Sequence, residues 1–184
     1  GKMMHKFGKD SISNQTKVKA SVQRGILAKI ITQFPALEVY IEDILPKKVG
    51  IVQVKCANYI SLITVNKEIL FFQERDGPFF PSLRLLHKYP FMCTKVQVDT
   101  GAIKHVMGGS DIMCRGMTSP GGNLDEDFPA GVVVAIMAEG KELALGVGVA
   151  AMSRDEIRKV NSDKGVLLAC ALDDGLWHYP ALEH

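Results

Sequence analysis

The chain has 184 residues, 47% of them hydrophobic and 23% charged, with a formal net charge of +2; this is the composition of a globular protein able to bury a core in one domain or two small ones. No apolar run approaches the roughly 18 residues that cross a bilayer, which argues against a membrane protein. The charge is unevenly placed: residues 1–95 hold 15 Lys+Arg against 7 Asp+Glu, a balance of +8, and residues 96–184 hold 7 against 13, a balance of −6. Such a split points to two domains with different partners, the basic half being the better match for a phosphate backbone.

The polar opening GKMMHKFGKD has no signal-peptide core, so a cytoplasmic protein is expected. Gly1 and the closing Leu182-Glu183-His184 are set aside as remnants of expression. From Lys17 to Phe34, Val18, Val22, Ile26 and Ile30 recur at i, i+4 with Leu27 and Ile31 beside them. That spacing predicts an amphipathic helix with its basic residues on the opposite side. Pro35 suits the first turn of a second helix bearing Leu37, Tyr40, Ile41, Ile44 and Leu45, ended by Pro46. Lys47 and Lys48 follow, where a helix dipole favours cations. Residues 51–57, 59–65 and 68–74 are β-branched and aromatic runs, so three strands are predicted, the last two as an antiparallel hairpin through Asn66 and Lys67. A loop at 75–81 and a short helix at 82–89, stopped by Pro90, complete an expected α/β domain of two helices and a small antiparallel sheet over residues 1–94.

The remainder, residues 95–184, is mostly strand. Residues 131–138 and 142–152 form a hairpin around Glu139-Gly140-Lys141, and Gly146 and Gly148 in its second strand predict a bulge or a close backbone approach. Ser153-Arg154-Asp155-Glu156 is a capping box opening a short helix, and residues 166–172 are a final strand. Short strands with single helical turns between them predict a partly closed pseudo-β-barrel, and the whole chain is expected to be α+β.

Val98 to Met117 holds Gly101, Gly108, Gly109 and Gly116 around a one- to two-turn helix. Ala102, Ile103, Val106 and Met107 share one face, Lys104 and His105 point away, and Asp99 or Thr100 supplies the cap. The glycine order is that of neither a P-loop nor a dinucleotide fold. No histidine belongs to a zinc-protease motif, no G-x-S-x-G elbow occurs, and Cys93 and Cys114 have no base beside them. The cysteines, at 56, 93, 114 and 170, are too dispersed for a sequence-local zinc site or a disulfide framework. The acidic run Asp125-Glu126-Asp127 reads as a solvated loop. No catalytic set, metal or cofactor is expected.

Two adjacent stretches carry a resemblance: GPFFPSLRLLHKYP (77–90) and VDTGAIKHVMGGSDIMCRGMTSPGG (98–122), supported by ITVN (63–66), EILFF (68–72), VVAIMAEGK (133–141) and DGLWH (174–178). Together they resemble the malignant T-cell-amplified sequence family, translation-machinery-associated proteins with a PUA domain. The resemblance implies an N-terminal domain followed by a PUA pseudo-barrel and no enzymatic activity. It also implies a heterodimer with the density-regulated protein, a SUI1-domain partner, that acts on the small ribosomal subunit in deacylated-tRNA release, ribosome recycling and reinitiation. The family's RNA surface falls here on Gly101, Ala102, Lys104, Gly108 and Gly116, with Arg115 nearby. Gly109-Ser110-Asp111 and Cys93-Thr94-Lys95 depart from the family pattern.

Ribosomal RNA is expected to meet the basic residues Lys17, Lys19, Arg24 and Lys29 of the first helix, with Lys47 and Lys48. Phe79, Phe80 and Pro81 are apolar for a loop and belong either to a partner surface or to the packing between domains; Arg84, His87 and Tyr89 share that ambiguity. Ser119-Pro120 suits a proline-directed kinase. Two other readings stand beside the translation factor: an RNA-modification accessory protein, and a protein-interaction module without RNA binding.

Overall fold

A computed structural model describes residues 3–183; Gly1, Lys2 and His184 lie outside the described residues. The first strand, β1 (Ile12–Lys17), is polar and exposed along nearly its whole length. No apolar alternation announces it; it forms because β2 (Val52–Cys56) offers a free edge. Lys17 therefore ends a strand and does not lie on the first helix, α1 (Ala20–Gln33), for which Lys19 is the N-cap residue. Helix α1 buries Gln23, Ile26, Leu27 and Ile30 and leaves Val22 46% exposed. A glutamine thus takes a core place expected for a valine. Its carboxamide satisfies both functions there, accepting from the Ile51 amide at 3.1 Å and donating to the Lys47 carbonyl at 3.4 Å, as a buried polar group must.

After a 3₁₀ turn (Pro35–Tyr40) and the single turn α2 (Ile41–Ile44), the sheet continues through β3 (Ile60–Val65), β4 (Glu68–Glu74) and the short β5 (Phe80–Pro81), in the order β1-β2-β3-β4-β5. Asn66 and Lys67 both take positive φ, 49° and 70°, which is the backbone a two-residue hairpin turn requires. Phe71 and Phe72 are fully buried; Phe72 stacks on Phe80 at 5.2 Å between ring centroids. Phe79 and Phe80 are consequently core residues, so of the two alternatives for them an exposed partner surface falls away, and they share a core cluster with Val133, Ala135 and Val147 of the second sheet. Helix α3 (Leu83–Lys88) follows, capped by the Ser82 hydroxyl, which accepts from the Leu85 amide.

The second domain is one curled sheet, ordered β6-β8-β9-β10-β7 and formed by β6 (Thr94–Val98), β7 (Ile112–Met113), β8 (Val133–Ala138), β9 (Gly146–Ala150) and β10 (Lys164–Ala171). Strands β6 and β8 run parallel, so the chain between them crosses from one edge of the sheet to the other through α4 (Ile103–Met107), β7 and α5 (Cys114–Thr118). Helix α6 (Arg154–Val160) opens with a capping box between Ser153 and Glu156. Helix α7 (Gly175–His178) is N-capped by Asp174.

The curled sheet is buried on both faces. Along β8, Val134, Ile136 and Ala138 point into the barrel core, while Val133 and Ala135 join the core of the first domain with Val147, Ala169 and Cys170. The tails reinforce this seam. Met4 and Phe7 are buried in it, and the His5 carbonyl accepts from the Gly175 amide at 2.9 Å. From the other end, Ala181 bridges to Glu68, and the Leu182 amide donates to the Lys67 carbonyl at 2.7 Å. Leu182, set aside above as a remnant, is 7% exposed and belongs to this core.

A β-carbon on Gly148 would lie 2.5 Å from the Leu167 carbonyl oxygen and 2.7 Å from Val166 Cγ1. Gly148→Val is therefore expected to destabilise the protein by at least about 1–3 kcal/mol through overpacking. A urea midpoint unchanged from wild type would contradict that.

Candidate nucleic-acid interface

The region begins at Asp99, whose carboxylate caps the 3₁₀ turn Thr100–Ala102 by accepting from the Ala102 amide at 3.0 Å. The Asp99 amide in turn donates to the Gly116 carbonyl at 3.0 Å, tying α5 to the start of α4. Helix α4 buries Val106 and leaves Lys104 and His105 exposed. It ends at Gly108, and Gly109 reverses the chain at φ 94°, a conformation that favours glycine. The Ser110 amide closes this corner on the His105 carbonyl.

Between α4 and β7 lies an open cleft of about 670 Å³, lined among others by Ala102, His105, Ser110, Met113, Gly116 and Lys164. Ala102 and Gly116 face each other across its floor: a β-carbon on Gly116 would stand 3.7 Å from that of Ala102. Small residues keep this floor low, so a backbone can approach. Lys104 and Arg115 are exposed on α4 and α5. Lys164 reaches the cleft through the antiparallel pairing of β10 with β7, which places it opposite Met113. Its ammonium is 3.1 Å from the Asp111 carboxylate, which also accepts from the Leu168 amide at 2.8 Å. Burial acts to raise the Asp111 carboxyl, but the hydrogen bonds from Leu168 and Lys164 help to hold it below its ordinary range.

Of the expected RNA residues, Ala102 and Gly116 thus line the cleft. Gly101, Lys104, Gly108 and Arg115 flank it, Gly108 opening onto a second hollow toward the first domain. Met113 and Lys164 are cleft residues not singled out from the sequence, and His105 and Ser110, although noted there, were not assigned to the RNA surface. Lys164 has no local motif to mark it, because only the sheet pairing brings it there.

The basic residues of the first domain fall into a group and an outlier. Lys17 lies alongside Gly50, and Gln23 ties α1 to the 47–51 segment, so Lys17, Lys19, Lys47 and Lys48 gather at one end of α1 with Arg24 beside them. Lys29 is exposed ten residues beyond Lys19, about 15 Å along the helix. The ambiguous group also separates. Phe79, Phe80 and Pro81 are buried. Arg84 stacks on Trp177 at 3.8 Å and donates to its carbonyl at 2.8 Å; His87 meets the Trp177 ring edge-on and pairs with the Ala144 carbonyl at 2.8 Å. These two cross the seam. Tyr89 instead packs with Tyr40 and Phe91 on the first domain. The Ser119 hydroxyl donates to the Arg115 carbonyl at the end of α5.

The four cysteines are free and buried. Burial pushes the Cys93 thiol up to about 12 and that of Cys56 up to about 11, opposite to what a nucleophile needs. At pH 8 none of the four is expected to react promptly with Ellman's reagent until denaturant is added; a rapid one-equivalent burst in the native protein would overturn this. Asp127 is exposed and lies 3.5 Å from Arg154, whose side chain is mostly buried.

The architecture and this cleft define a class, a pre-PUA domain joined to a PUA domain. A pre-PUA-like domain model matches residues 7–90 and a PUA domain model matches residues 94–169. The fold is shared with a hypothetical protein of the archaeon Pyrococcus horikoshii (TM-score 0.72, 22% identity, 91% of this chain and 100% of that one). It is shared too with a conserved PUA domain protein from Thermoplasma acidophilum (TM-score 0.64, 18% identity, 91% and 99%). Among relatives, the malignant T-cell-amplified sequence 1 homolog of Dictyostelium discoideum is 50% identical over 95% of this chain and 96% of its own length. Human malignant T-cell-amplified sequence 2 is 49% identical over 96% and 97%. The chain belongs to the malignant T-cell-amplified sequence family.

Proposed function

We propose that the chain is a non-enzymatic, RNA-binding translation factor. In this reading it works as a heterodimer with a SUI1-domain partner, the density-regulated protein, on the small ribosomal subunit in the cytoplasm. The pair promotes deacylated-tRNA release, ribosome recycling and reinitiation. Residues 95–184 hold the RNA, and residues 1–94 bind the subunit and the partner, the subunit through the lysines around Gln23. The observation that carries the proposal is the low-floored cleft between α4 and β7 with Lys104, Arg115 and Lys164 around it, in a chain matching its family nearly end to end. Small residues on the floor admit a sugar-phosphate backbone, and cations at the rim meet its charge.

The double variant Lys104→Glu, Arg115→Glu tests it. Affinity for tRNA should fall uniformly across sequences, and the slope of log K against log salt should flatten by about one for each phosphate that is no longer neutralised. Release of deacylated tRNA from small subunits should fall with it. Unchanged RNA affinity and release would favour the second reading, a protein-interaction module. Two observations support that reading: the second half is acidic, and Asp111 partly neutralises Lys164.

A further inference from the structure

The connection between β2 and β3 holds two consecutive residues in the left-handed region, Asn58 and Tyr59, both at φ 62°. Asparagine tolerates that conformation, whereas for a bulky aromatic it is strained and calls for an explanation. The turn leaves the Tyr59 side chain at the surface, 66% exposed, while the next residue, Ile60, is buried. Arg75, itself left-handed at φ 53°, lies across the tyrosine ring with its guanidinium carbon 3.7 Å from the centroid. Its amide donates to the Tyr59 carbonyl at 2.9 Å, so the two backbones are tied as well. Among the described residues Arg75 forms no ion pair. Three left-handed residues therefore hold one aromatic face and one unneutralised guanidinium plane together at the surface. Aromatic and arginine planes are what proteins present to unpaired bases.

The residues on either side of Tyr59 also border a hollow. A concavity of about 360 Å³ is lined by Asn58 and Ile60 together with His5, Lys6, Ser11 and Gly108. The next residue, Gly109, lines the cleft of the PUA domain, so the two depressions share the Gly108–Gly109 corner. His5 Nδ1, in the wall of this hollow, is buried without a hydrogen-bond partner. Lys55, one strand position before Cys56, is exposed. We propose that a single-stranded RNA segment seated in the PUA-domain cleft continues across this corner, and that an unpaired base stacks on the Tyr59–Arg75 platform. The inference rests on the RNA-binding reading above and adds a contact on the other domain.

The full chain would be titrated against a fluorescein-labelled, unstructured RNA of about a dozen nucleotides, a length matched to single-strand sites. Tyr59→Ala and Arg75→Ala should each weaken binding by about 5- to 150-fold, the range for removal of one base stack. Tyr59→Phe should bind as wild type. Arg75→Lys should lose most of the affinity although it keeps the charge, because an ammonium has no plane to stack. Lys104→Glu is the separate arm. If it weakens binding while Tyr59→Ala and Arg75→Ala bind as wild type, the platform is overturned and the cleft stands. If wild type binds no RNA, both readings fail. If Tyr59→Ala leaves RNA binding intact but abolishes binding to the SUI1-domain partner, the platform is a protein contact and the RNA inference is overturned. Thermal midpoints check folding, and Tyr59→Phe with Arg75→Lys keeps the test decisive should an alanine variant unfold.

Discussion

Trp177→Ala should lower the free energy of unfolding by about 3 kcal/mol and divide a single melting transition into two. The indole, on α7 just after the second sheet, receives Arg84 on its face and His87 on its edge, both from α3 of the first domain. Its carbonyl accepts the Arg84 guanidinium at 2.8 Å. Truncating a buried Trp or Phe to alanine costs about 3–5 kcal/mol; Trp177 is half-buried, so its packing share is smaller, and loss of the cation–π interaction adds about 0.5–1 kcal/mol. The effect should concentrate at the seam, because the indole packs there against Arg84 and His87. Calorimetry distinguishes the cases: one transition at the wild-type temperature would mean that the seam does not depend on this residue. Arg84→Lys, which keeps the charge but not the plane, should give a smaller shift in the same direction.

The second large effect is expected at Asp174. It is 4% exposed, and its carboxylate accepts from the Ala171 amide at 2.9 Å and the Trp177 amide at 2.8 Å. Asp174→Ala leaves two sequestered amides without a partner, each worth about 1–3 kcal/mol, so a loss of about 2–6 kcal/mol is expected in urea unfolding. The same residue sets a pH dependence. Burial raises its carboxyl above the ordinary range, although the Ala171 and Trp177 amides oppose the shift. The folded state then keeps a proton that the unfolded chain has already released. The associated stabilisation is complete below the unfolded value, about 4, and is lost as pH rises through the folded value. The stability of wild type relative to Asp174→Asn should therefore decline with rising pH across that window. A difference flat in pH would show that Asp174 titrates alike in both states.

Much of the architecture was legible in residue order because local chemistry and global fold agree. The β3–β4 hairpin, the capping box at Ser153 and the glycine-flanked α4 each follow from side chains within a few positions of one another. The close approach expected at Gly148 is where β9 meets β10. What stayed hidden depends on distant partners. Strand β1 is polar on both sides and exists only because β2 is beside it. The burial of Gln23 in preference to Val22 depends on two backbone groups of the 47–51 segment. Lys164 lies over 50 residues from α4 in sequence and enters the cleft through a sheet register. The Phe79–Phe80 pair was ambiguous because an apolar loop looks the same whether it faces a partner or its own core.

The exchange of tails across the seam has a consequence for how the molecule comes into being. Strand β5 covers β4 only at Phe71 and Phe72; the edge near Glu68 is covered by Ala181, and Met4 to Phe7 are fastened by the Gly175 amide. These fasteners are translated after both sheets. Until they emerge, the first-made sheet keeps an unpaired edge and the first-made segment lacks its Gly175 hydrogen bond, however long those parts have had to fold. A chain halted ahead of Asp174 would accordingly be two unfinished halves, each exposing the surface that the other's tail was meant to seal.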